Sequence, residues 1–108
     1  MNAQTQITDN INLVEDEIVA IAKDLQKNAK LLDKKTADAN AIRDELRSTR
    51  ADIQAAMLAE DDNLLMDLTK NLKGLNNRLD RAIEAYNDAE AAHKESLSAI
   101  RLVIKGIA

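Results

Sequence analysis

His93 is the single histidine of the chain, and Glu90 precedes it by three residues. On a helix that spacing puts both side chains on one face. Two hairpins that each supply one Glu-x-x-His pair can build a di-iron carboxylate centre, provided the facing helices add further carboxylates. The pairing register derived below places Asn28 opposite His93, with Asp24 one turn away and no glutamate at hand. The expected role of His93 is therefore structural, in a polar layer, and Glu90 is expected to pair with Lys94 along its own helix. A metal-binding bundle built on Glu90 and His93 is the minor alternative.

Other chemistry has little to work with. There is no cysteine, so neither a thiol nucleophile nor a cysteine-built zinc site exists. Ser48, Ser96 and Ser98 lie in helical pattern without the glycines of a nucleophile elbow. Ser96 sits three residues after His93, yet no third group converges to orient the imidazole. Glycine occurs at 74 and 106 alone, which excludes a glycine-rich phosphate loop. The run Glu60, Asp61, Asp62, Asn63 lacks the glycine and the alternating ligands of a calcium loop and reads as a turn with a helix cap. The chain is expected not to be an enzyme and to need no cofactor.

Charge narrows the partners. Fifteen Lys and Arg against nineteen Asp and Glu leave a net charge of -4. Arg43, Arg47 and Arg50 are interrupted by Asp44, Glu45 and Asp52, and Tyr86 is the sole aromatic residue, so no nucleic-acid surface is expected. The first twenty residues carry Asp9, Glu15, Asp16 and Glu17 and are not expected to form a secretory leader. The apolar run 18–22 is far too short to span a bilayer. The expectation is a cytoplasmic protein without membrane contact.

The elements that position these residues follow from hydrophobic period. Without proline, and with 45% apolar residues that are nearly all aliphatic, the chain is expected to be all-α. From Ile7, steps of four and three reach Ile11, Val14, Ile18, Ile21, Leu25, Asn28, Leu32, Lys35, Ala39, Ile42, Leu46, Thr49, Ile53 and Ala56. All but Asn28, Lys35 and Thr49 are apolar, which is the seam of a coiled coil. Continued in phase, the pattern meets only Glu60, Asn63, Asp67, Lys70 and Gly74.

A second phase runs Leu65, Leu68, Leu72, Leu75, Leu79, Ile83, Tyr86, Glu90, His93, Leu97, Ile100, Ile104 and Ile107. It includes a repeated step of four at Leu79 to Ile83, a stutter, with Ala82 and Ala89 able to share the seam. The phase change marks a turn. The reading is a single domain, 1–108: a long antiparallel helical hairpin with one helix over about 5–59, a turn at about 60–62 and a second helix over about 62–105. Asp61 or Asp62 can cap the second helix, and Gly106 stands where a C-terminal cap belongs. A three-helix bundle would need a break near 33–36, where the first seam runs on unbroken.

Folded about its midpoint, residue i faces roughly residue 121 minus i. Apolar seam positions then meet apolar ones, Asn28 meets His93, and Lys35 meets Tyr86. Such polar layers weaken a coiled coil but penalise slipped registers. A hairpin alone leaves apolar residues uncovered, which points to self-association into a four-helix bundle. The expected oligomer surface is Leu13, Val14, Ile18, Val19, Ile100, Leu102, Val103 and Ile104. Met57, Leu58, Leu64 and Met66 at the tip are the expected contacts for a protein partner. The function read from these features is a non-enzymatic interaction module, serving as scaffold, adaptor or chaperone. A small phage-type inhibitor that covers a host protein's surface is the alternative.

Overall fold

The computed structural model describes the backbone of residues 3–107 and the side chains of residues 15–106. Two helices account for nearly all of it: α1, Ala3–Leu58, and α2, Asp62–Ile107. α1 contains neither glycine nor proline, so nothing in its backbone chemistry breaks it. No strand occurs among the described residues.

The turn is built from three backbone features. Glu60 takes a positive φ of 55°. The Asp61 N–H donates to the Ala56 carbonyl at 3.1 Å and the Glu60 N–H to the Met57 carbonyl at 3.2 Å. That pair of bonds is a Schellman closure of α1, with Glu60 in the left-handed position that glycine usually takes. Asp61 then starts α2. Its Oδ1 accepts the Leu64 N–H at 3.1 Å, and its carbonyl accepts the Leu65 N–H at 2.9 Å. Asp61, of the two aspartates considered, is the N-cap, and Asp62 supplies the acidic first turn that suits the helix dipole. Gly106 is not a left-handed cap, because no described glycine has positive φ and α2 runs on to Ile107.

Inter-residue contacts divide the chain into two compact units. The turn unit is Asp33–Asp88. Its helices run antiparallel, and Arg78 Nη1 meets Glu45 Oε2 across them at 3.5 Å. Its core is Ile42, Leu46 and Leu75, with Leu72, Leu79 and Ala82 packed against it. The terminal unit pairs Met1–Leu32 with Ala89–Ala108. Its helices are also antiparallel, and Asn28 bonds to Ser96 across them.

Burial follows the α1 seam closely. Each seam position from Ile18 to Ala56 is buried or half-buried, and off the seam over residues 15–58 only Ala29 joins them. On α2 the row reached through the stutter is the less covered of two. Ala89 is 3% exposed and Ser96 8%, whereas Ile104, assigned to the seam, is 57% exposed. The most regular covered row is Leu65, Leu68, Leu72, Leu75, Leu79, Ala82, Tyr86, Ala89, His93, Ser96, Ile100 and Val103, in unbroken steps of three and four, with Ala85, Ala92 and Ala99 half-buried beside it. The physical reason is that paired helices must share one period to keep knobs in holes. α1 keeps a strict heptad, so α2 keeps one too. Ile83, Glu90 and Leu97 flank the seam, half-buried.

Candidate functional site

The polar layer lies in the terminal unit. Asn28 Nδ2 donates to Ser96 Oγ at 2.7 Å and, more weakly, to the Ala92 carbonyl at 3.4 Å. The expected partner, His93, is half-buried one turn before Ser96. The partner differs because the unbroken heptad brings Ser96 into the seam, where a short hydroxyl can receive the amide. No buried side-chain nitrogen or oxygen among the described residues is left without a bond. Lys35 and Tyr86, in the turn unit, both occupy half-buried seam positions. Tyr86 lines a shallow cleft with Thr36, Asn40, Arg43 and Ile83.

Among the described residues Glu90 and His93 are not joined by a third ligand. Glu90 Oε1 is bound to Lys94 Nζ at 2.7 Å, one turn along the same helix. Among the described residues no three His, Cys, Asp or Glu side chains gather as a metal site. Among them, too, no helix is long and apolar enough to cross a membrane.

The proposed oligomer surface divides by exposure. Val19 is 52% exposed, Leu102 70% and Ile104 57%; Ile18, Ile100 and Val103 are half-buried in the seam. The side chains of Leu13 and Val14 lie outside the described residues. Among the described residues of the terminal unit the buried side chains are those of Ala89 and Ser96, both small. Leu31, 40% exposed, is a further apolar residue on this unit that periodicity alone passes over, because it adjoins the seam residue Leu32.

At the turn, Met57 is 61% exposed, Leu58 88%, Leu64 45% and Met66 63%. A shallow cleft of about 380 Å³ opens beside them, lined by Asp52, Ala55, Ala56, Ala59, Asp61, Leu64 and Leu68. Its walls are apolar and its two carboxylates stand at positions exposed to water. Sequence reading names Leu64 as a contact and Ala56 and Leu68 as seam residues, but not Ala55 or Ala59. These two show themselves only as part of a patch, once the two helix ends are brought together. No protein-family model, curated protein or solved structure matches the chain.

Proposed function

We propose that this chain is a non-enzymatic interaction module, a helical hairpin that associates with a second copy of itself through its terminal unit. One observation carries the reading: among the described residues the terminal unit fully buries only the small side chains of Ala89 and Ser96, while it leaves Val19, Leu31, Leu102 and Ile104 exposed. α2 presents apolar residues there in three rows, for example Leu97, Ile100 and Val103 with Ala99 and Ile104. A third row beyond the strict seam is the pattern of a helix that packs in a bundle.

A stable interface takes about 800 Å² from each partner. At ~25 cal/mol per Å², covering these side chains contributes several kcal/mol per copy.

The test is sedimentation equilibrium at tens of micromolar. The expected mass is a multiple of 11.9 kDa. Val19→Glu with Ile104→Glu changes two exposed positions and is expected to return the monomer mass with helicity retained. A wild-type mass of one chain throughout the concentration range refutes the reading.

A further inference from the structure

The turn has a second surface, and its chemistry differs from that of the terminal unit. Between Arg50 and Lys70 the chain carries five carboxylates, Asp52, Glu60, Asp61, Asp62 and Asp67, and no basic side chain. That stretch therefore has a charge of -5 within a chain of -4, and the remainder is +1. All the net negative charge of the protein is concentrated at the turn. All five carboxylates are exposed. In the same stretch lie the four most uncovered large apolar side chains of the turn unit, with Leu58 at 88%. The cleft beside Leu64 joins the two features, having alanine and leucine walls and Asp52 and Asp61 among its lining.

We infer that the turn cleft docks a cationic amphipathic segment of another protein, its apolar side chain seated between Ala55, Ala59 and Leu64 and its Lys or Arg residues beside Asp52 and Asp61. Charge decides between occupants. A second copy placed turn to turn sets -5 against -5, and like charges across an interface oppose association. A nucleic acid is repelled for the same reason. A basic segment gains at both levels: apolar area is covered, and the surrounding carboxylates speed and orient its encounter. The exposed, flexible Met57 and Met66 side chains adapt to the segment outside the cleft. Docking here is independent of self-association at the terminal unit, so either property survives loss of the other.

The probe is a synthetic 18-residue helical peptide of leucine and lysine, compared with one in which glutamate replaces every lysine. Methyl-labelled full-length protein is titrated with each and followed by NMR. The lysine peptide is expected to shift the Leu64, Ala55 and Met66 methyls while leaving those of Ile21 and Ile100 unmoved. The glutamate peptide is expected to shift none. Asp52→Asn should weaken binding about two- to fivefold, the effect of one exposed charge pair. Ala55→Lys, at an exposed helical position, should weaken it at least tenfold while circular dichroism stays that of the wild type. The inference is overturned by any of three results: no binding of the lysine peptide, equal binding of both peptides, or lysine-peptide shifts that persist unchanged in Ala55→Lys.

Discussion

Glu60 holds a backbone conformation that its side chain disfavours, and replacing it with glycine should stabilise the protein. At φ 55° the Cβ of an L-residue crowds the following carbonyl, which costs roughly 1–2 kcal/mol. Glycine removes that cost but loses more backbone freedom on folding, about 0.5–1 kcal/mol. Glu60 is exposed, so no packing is lost. The net expectation for Glu60→Gly is a gain of about 0.5–1 kcal/mol.

Charge must be separated from conformation. Glu60 sits between the negative end of α1 and the positive end of α2, so its dipole interactions oppose one another. Glu60→Ala removes the charge and keeps the left-handed strain, and is expected within about 0.5 kcal/mol of wild type. The assay is urea unfolding followed at 222 nm, with all three proteins at the same concentration because association would move the midpoint. The glycine variant should unfold at a midpoint higher by about 0.3–0.5 M at unchanged slope. In a thermal melt the gain is about 2–4 °C for a chain of this length. If Glu60→Gly is no more stable than Glu60→Ala, the left-handed closure of α1 is not the source of strain.

Two further outcomes follow from the same geometry. Gly74 lies inside α2, exposed, and a Cβ there would meet nothing within 4 Å, so Gly74→Ala should stabilise by about 1 kcal/mol in the same urea assay. A lower midpoint would mean that another chain packs against that backbone. Asn28→Ala and Ser96→Ala, alone and together, should show a coupling of about 1 kcal/mol in a double-mutant cycle, the worth of one partly buried hydrogen bond. Asn28→Ala with His93→Ala should show a smaller coupling; the reverse order would restore His93 as the partner.

What was legible in the sequence is what depends on direction along a single helix. α1 has one apolar stripe, and because Cβ directions on a helix are set by its period, the residues of that stripe could be named before any partner was placed. The turn was legible for the same reason, as the stripe stops at Ala56 and resumes out of phase. α2 is apolar in more than one row, so its own periodicity admits both Ile83, Glu90, Leu97, Ile104 and Ala82, Ala89, Ser96, Val103 as seam. α1 settles the choice, since only the second row matches its unbroken heptad. The signal was present in the strictness of α1 and needed to be carried across to α2.

The tertiary structure alone decided three things. It chose Ser96 over His93 for Asn28, because a side-chain bond of 2.7 Å depends on axial stagger finer than a register count. It put a glutamate into a left-handed turn position, which no local preference of glutamate announces. It also gathered Ala55 of α1 and Ala59 of the turn with Leu64 of α2 into one cleft, a nearness that exists only after the chain reverses. Periodicity is a property of one helix, whereas stagger, turn closure and clefts belong to the pair.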